Sequence, residues 1–393
     1  MILEGSGMED IKIVREAFHQ RYGKSPIIVI APGRINLIGE HTDYNEGFVM
    51  PSAINKCFVF ALAPNQTKSF SAYSTDLNEA TTFSIQDIKP GHHWTNYFMG
   101  VIQGMTQRGL DVQGFDCVFG GNIPMGAGLS SSAALCSGLG FALNEAFQFP
   151  LSRLELAKIA QFAEHNFAGV KCGIMDMYAS LLSNAGSVIL LDCRNLTHEY
   201  LPFQYDDVEV LLMDTKVKHT LASSAYNRRR EACEEGVSII QKEFPNVKSL
   251  RDVSIALLMS YQNKLTKEVF EKSLFITEEI QRTKDAAVML RNRNLDGFGK
   301  LMNQTHWGLS NLYEVSCEES DFLVKYAEEK KSLILGSRQM GGGFGGCTIN
   351  LVKKGSAPQL SEQVSEKYFA TFKKEPDFYL VNLSQGVHTF EQP

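Results

Sequence analysis

The chain has 393 residues, 44% hydrophobic and 21% charged, which predicts two domains and excludes a disordered or fibrous protein. A formal net charge of −6 excludes the broad basic face that a nucleic-acid binder needs. No apolar run nears the roughly 18 residues that span a bilayer, so no membrane insertion is expected.

The first residues carry Glu4, Glu9 and Asp10 and lack the apolar segment of a leader. Residues 9–22 then place Ile11, Val14, Phe18 and Tyr22 on one helical stripe. The apolar run at 27–30 predicts a buried strand, ended by Ala31-Pro32-Gly33. β-rich stretches follow at 57–62 and 81–85, a helix near 95–109 and a strand near 114–119. Helices are expected near 129–147 and 153–167, and a strand at 188–191 closes this half. From about 206 a strand at 208–213 starts a mostly helical stretch to about 330. Strands near 332–338 and 347–353, a helix near 357–372 and a last strand complete the chain. The expected domains are therefore 1–205 and 206–393. The basic run Arg228-Arg229-Arg230 stands beside Glu231, Glu234 and Glu235 as a mixed charged helix face. The cysteines at 57, 117, 136, 172, 193, 233, 317 and 347 show no CxxC and no zinc-ligand spacing, which predicts reduced thiols in a cytoplasmic protein.

Three segments carry chemistry. In Gly121-Asn122-Ile123-Pro124-Met125-Gly126-Ala127-Gly128-Leu129-Ser130-Ser131-Ser132 a strand ends, glycines turn the backbone and serines stand where a helix begins. Free N–H groups at that helix start favour phosphate, although a plain serine-capped helix has the same local pattern. No Lys follows the glycines, so this is not a Walker A loop. Gly341-Gly342-Gly343-Phe344-Gly345-Gly346 permits a backbone path closed to residues with side chains. After the first strand, Arg34, Glu40, His41 and Asp43 follow one another in a loop suited to gripping sugar hydroxyls or, alternatively, to ligating a cation.

Together these segments resemble the three signature motifs of the GHMP kinases. The stretch Gly33-Arg34-Ile35-Asn36-Leu37-Ile38-Gly39-Glu40-His41-Thr42-Asp43-Tyr44-Asn45 looks like the galactokinase branch in particular, as do Cys172-Gly173-Ile174-Met175-Asp176 and Ser224-Ala225-Tyr226-Asn227-Arg228. The matches run in the family's order from about residue 31 to 353. The resemblance implies an α+β, two-lobed fold with a ribosomal-protein-S5-like N-terminal domain and a ferredoxin-like C-terminal domain. It implies a cytoplasmic monomer that phosphorylates α-D-galactose at its C1 hydroxyl, with ATP and Mg²⁺.

Residue by residue, Asp176 matches the family's catalytic aspartate, the base or orienting group for the C1 hydroxyl. Arg34 matches the arginine that holds that aspartate and stabilises charge at the reacting phosphate. Glu40, His41, Asp43, Gly173 and Tyr226, with Asp176, match sugar-contacting positions. Gly126, Gly128, Leu129, Ser130, Ser131 and Ser132 match the ATP loop, and Trp94 the aromatic flanking adenine. Ser132 and Glu164 match the magnesium ligands. The chain departs from the family pattern at Met177, where glutamine is usual, at Arg338-Gln339-Met340, at Thr305-His306-Trp307 and at Asn311-Leu312. Met177 bears on sugar selectivity and leaves open a kinase of N-acetylgalactosamine or arabinose. A non-catalytic galactose and ATP sensor is the other alternative, against which the serine-rich loop, Arg34 and Asp176 are all present.

Overall fold

In the computed structural model, which describes residues 5–91, 93–217 and 222–391, the chain folds into two lobes around a cleft. The first lobe carries β1 (Ile27–Asn36), β2 (Phe48–Val49), β3 (Pro51–Pro64), β4 (Ser69–Ser74), β5 (Glu79–Ser84), β6 (Phe115–Gly121), β7 (Ser187–Asp192) and β8 (Thr197–Pro202). The second carries β9 (Val208–Asp214), β10 (Ile334–Gln339), β11 (Cys347–Lys353) and β12 (Asp377–Val381), and the chain ends in β13 (His388–Thr389).

The large sheet has the order β13-β1-β3-β6-β4-β5, antiparallel except for the parallel β4–β6 pair. The run at 27–30 is apolar at every position because both faces of β1 are buried. Ile28 and Ile30 meet Ile11, Val14 and Phe18 of helix Gly5–Tyr22 on one face. Val29 and Ala31 join the main core on the other, under helices Thr95–Thr106, Ser131–Ala146, Arg153–Ala163 and Met175–Leu182. Strand β1 does not stop at Ala31-Pro32-Gly33 as expected. A bulge between Pro32 and Arg34 absorbs the proline, and pairing with β3 resumes from Arg34 to Asn36. Arg34 therefore stands on a buried strand rather than in a loop, with a side chain fixed by sheet geometry.

The second lobe has the sheet order β10-β11-β9-β12, wholly antiparallel, with helix Ala357–Phe372 between β11 and β12. This is the βαββαβ arrangement of a ferredoxin-like core, extended by the helices from 222 to 329. Leu323, Tyr326, Leu360, Val364 and Tyr368 cover one face against Leu211, Met213 and Val352. The chain passes between the lobes in the segment joining β8 to β9, around residue 205. The expected division at that point takes no account of the C-terminal return: β13 pairs with β1, and Leu383 bridges to Ile54. No helix among the described residues is long and apolar enough to cross a membrane.

Candidate functional site

Arg34 is the joint of the cleft. Its Nε and Nη2 donate to the two carboxylate oxygens of Asp176 at 2.7 and 2.9 Å, and its Nη1 donates to the Gly128 carbonyl at 2.6 Å. One guanidinium thus ties the aspartate at the first turn of helix Met175–Leu182 to the phosphate loop. Burial works against the Arg34 charge, but Asp176, then Glu40 and Asp43, raise its pKa above the ordinary arginine value. Ser130 caps nothing with its side chain: it takes a left-handed backbone, φ 57°, and its hydroxyl donates to Asp176 at 2.5 Å. The serine-capped-helix alternative is thereby set aside, because the hydroxyl that would cap the helix is turned to the aspartate. Strain of this kind at a non-glycine residue is held in place by its surroundings, commonly at functional sites.

The glycine-rich segment at 341–346 lies against the phosphate loop, backbone to backbone. Cys347 N–H donates to the Ala127 carbonyl at 3.1 Å. Gly341 has φ +81°, and a Cβ there would sit 3.1 Å from the Gly128 carbonyl oxygen, so only glycine fits without displacement.

The sugar-loop candidates are pinned from the second lobe. Arg338, fully buried, donates to the carbonyls of Asn36 and Leu37 and to Glu40 Oε2 at 2.7 Å. Glu279, fully buried on helix Lys267–Arg291, accepts the Gly39 N–H at 2.9 Å, the Glu40 N–H at 3.4 Å, the Thr305 hydroxyl and the Arg282 guanidinium. His306, the next residue, accepts the Gln339 N–H at 3.2 Å. Sequence reasoning missed Glu279 and Arg282 altogether, and noted Arg338 and Thr305 only as departures. Gly173 is explained by Asp43: a Cβ at 173 would lie 1.9 Å from the Asp43 carboxylate, which accepts the N–H groups of Tyr44 and Met175.

A cavity of about 400 Å³ gathers every candidate residue except Trp94. Its lining includes Arg34, Asp176, Glu40, His41, Asp43, Gly173 and Tyr226, expected to face a sugar, and Gly126, Gly128, Leu129, Ser130, Ser131, Ser132 and Glu164, expected to face phosphate and its metal. Met177, buried at 1% exposure, also faces it. Trp94 stands outside this lining. Its ring packs on Phe98 and Phe119 and its Nε1 donates to Glu79 at 2.9 Å. Tyr97, one helical turn on, lines the cavity instead. The spacing of residues three apart on a helix was the available signal for it.

Burial pushes the Asp43 carboxyl up to about 7, with Asp176 adding to the rise. Burial also pushes Glu164 up to about 7; the Ser132 hydrogen bond opposes this and the Asp176 charge adds to it. Burial and the Arg229 and Arg338 charges hold His41 down to about 3, so its imidazole is neutral. Among the described residues no group of three or more His, Cys, Asp or Glu could hold a metal ion. Ser132 and Glu164 nevertheless suit a hard divalent cation as two oxygen donors, Glu164 being a buried carboxylate short of positive charge, provided phosphate oxygens and waters complete the shell. Among the described residues, Glu40, His41 and Asp43 form no such group of three, which argues against the cation alternative raised for their loop.

Comparison with known proteins gives concordant matches. The GHMP kinases N terminal domain matches residues 96–184, the galactokinase galactose-binding signature residues 16–64, and the GHMP kinases C terminal domain residues 286–370. A galactokinase of Thermotoga neapolitana is 41% identical over 359 residues, covering 91% of this chain and 99% of the relative. One from a Roseiflexus species is 37% identical, covering 97% of each chain. The crystal structure of Lactococcus lactis galactokinase complexed with galactose superposes with a TM-score of 0.92 at 30% identity, covering 96% of this chain and 99% of that one. Methanococcus jannaschii mevalonate kinase shares the fold at a TM-score of 0.63 and 18% identity.

Proposed function

The chain belongs to the galactokinases within the GHMP kinases, and from that premise we propose that its cleft transfers the γ-phosphoryl group of ATP to the C1 hydroxyl of α-D-galactose. The observation that supports the mechanism is the Arg34–Asp176–Ser130 cluster, whose hydrogen bonds tie residues we assign to the sugar to the loop we assign to phosphate in the lining of one cavity. Galactose is held by Glu40, His41, Asp43 and Tyr226, with its C1 hydroxyl at Asp176. ATP lays its phosphates along 126–132, against the open N–H groups at the start of helix Ser131–Ala146.

Asp176 orients the C1 hydroxyl and takes its proton as the C1 oxygen bonds to the γ-phosphorus and the bond to the β-phosphate oxygen breaks, releasing ADP. The Arg34 guanidinium stabilises negative charge that develops on the transferring group, and no covalent enzyme intermediate is needed. Mg²⁺, held through Ser132 and Glu164, supplies neutralisation of the phosphate charge when bound. Trp94 remains our proposal for a ring near adenine, outside the cavity lining. One chain supplies every group named, which fits a monomer, and eight free cysteines fit a reducing cytoplasm.

An ADP-release assay with ATP and Mg²⁺ against galactose, N-acetylgalactosamine, arabinose, glucose and mevalonate tests the reading. Galactose should exceed the others; turnover of another sugar would move attention to Met177. Asp176→Asn should lower kcat by about 10²–10⁴-fold while galactose still binds by calorimetry. Full activity in that variant would refute the assignment, and binding of galactose without turnover by the natural chain would make it a sensor.

A further inference from the structure

A neutral imidazole is a donor at one nitrogen and an acceptor at the other, so what His41 offers a sugar depends on which nitrogen carries its proton. Its Nδ1 lies 2.8 Å from the Tyr44 hydroxyl, and that hydroxyl lies 2.7 Å from the hydroxyl of Tyr313. The Tyr313 oxygen is in turn 3.5 Å from the Cys233 thiol. The other nitrogen, Nε2, is buried with no hydrogen-bond partner among the described residues, in a ring that lines the cavity. Tyr226 and Tyr313 flank that ring with centroids 5.2 and 4.9 Å away, and His41 itself takes a left-handed backbone, φ 62°. The ring is thus held on several sides while one polar atom is left unmatched, and such an atom marks a missing partner.

We propose that Tyr44 fixes His41 as the Nε2–H tautomer, so that the ring presents an N–H donor to a hydroxyl oxygen of the bound sugar. Tyr44, and Tyr313 behind it, are positioning residues that act through His41. This inference rests on the galactose reading above and adds the source of its hydrogen-bond polarity.

Two arguments set the direction of the chain. A phenol is the stronger donor and an imidazole nitrogen the stronger acceptor, so the shared proton belongs to Tyr44 and points at Nδ1. Tyr313 then donates to the Tyr44 oxygen, and the far end is a thiol that burial pushes up to about 11, which keeps its own proton. The second argument is the balance of donors and acceptors in the cavity. Glu40, Asp43 and Asp176 bring carboxylates, while three of the five Arg34 N–H donors are already committed to Asp176 and Gly128. Sugar hydroxyls that donate to those carboxylates keep lone pairs in need of a donor. An N–H at Nε2 supplies one; a bare lone pair there would add another acceptor to a site rich in them.

The test has two arms. In histidine-labelled enzyme, the ¹⁵N signals of His41, assigned by their loss in His41→Gln, should show Nε2 protonated and Nδ1 bare. A protonated Nδ1 overturns the proposal, and this arm needs neither a foldable Tyr44 variant nor activity. In the kinetic arm, Tyr44→Phe should raise the galactose KM about tenfold with kcat within about twofold, the size expected for one hydrogen bond. The same substitution should leave KM unchanged for whichever of 2-, 3-, 4- or 6-deoxygalactose lacks the hydroxyl facing His41. Tyr313→Phe, which keeps the Tyr44–His41 contact, should move the galactose KM less than Tyr44→Phe does. An equal KM rise for galactose and every deoxygalactose overturns the proposal, since loosened packing would act on all of them alike. Failure of the natural chain to use galactose at all would instead sink the galactose reading, and the tautomer signals would still decide the state of His41.

Discussion

The two sides of the cavity are held by opposite means. The phosphate loop at 126–132 rests on the glycine segment at 341–346 through backbone contacts that tolerate no side chain, as at Gly341 against Gly128. The sugar loop at 36–43 is gripped by charged side chains from the other lobe, Arg338 on its carbonyls and carboxylate and Glu279 on its N–H groups. A polyphosphate is bound mainly by backbone N–H groups, so its loop needs a fixed main-chain path. A sugar is distinguished by hydroxyl directions, so its loop needs side chains aimed from a braced backbone. The difference teaches that one lobe braces both loops by different means: the second lobe shapes the phosphate loop by its outline and the sugar loop by its charge.

Removing one charge should break the sugar side hardest. Arg338 is fully buried and its partner Glu40 is 2% exposed, so Arg338→Met removes the donor shared by a buried carboxylate and the carbonyls of Asn36, Leu37 and Gln339. We expect a loss of about 3–5 kcal/mol in denaturant unfolding, with a raised galactose KM. Arg338→Met combined with Glu40→Gln should recover part of the lost stability, because the unpaired charge is gone. A loss under about 1 kcal/mol would mean that Arg338 does not brace the loop.

The same contrast decides what could be read from the sequence. Glycine loops, the serine run and the Glu40–Asp43 cluster are contiguous, and their residue types state their chemistry locally. Most of the roles came through the family resemblance, which follows those same contiguous motifs. The braces were not legible: Arg338 and Glu40 stand 298 residues apart, and Glu279 and Gly39 stand 240 apart. Helix Lys267–Arg291 carries Glu278, Glu279 and Arg282 in a pattern that any solvated face would show, yet Glu279 is fully buried. Arg34 was expected in a loop because Pro32-Gly33 reads as a strand stop, and only pairing with β3 across a bulge carries the strand on. Trp94 and Tyr97 illustrate the remaining limit. Both aromatics are three apart at the start of one helix, and the choice of which faces the cavity depends on the helix's rotation against β6.

The phosphate side should respond to shape rather than charge. Gly341→Ala adds a Cβ at φ +81°, 3.1 Å from the Gly128 carbonyl oxygen. Strain of about 1–2 kcal/mol should displace the phosphate loop and raise the ATP KM roughly tenfold, with the galactose KM within about twofold. Equal rises in both would show that the loops move as one unit and that the two sides are not separately held.

A change in slope with pH, rather than a loss of stability or activity, sharpens the electrostatics of the sugar side. Asp43 has its pKa raised by burial, and further by Asp176, from the ordinary 3.8 to about 7. The folded chain therefore holds this proton more tightly than the unfolded chain does. The stabilisation it brings is fully present below the unfolded value near 3.8, fades as pH rises through about 7, and is absent above that. Asp43→Asn keeps the shape without a titrating group, so the difference in melting temperature between natural enzyme and variant should drift with pH between about 4 and 8. The natural enzyme should lose ground over that range, and the drift should level off above pH 8. A constant difference across the range would mean that Asp43 ionises normally in the fold, and that the crowding of acidic groups on the sugar side is relieved by something other than a held proton.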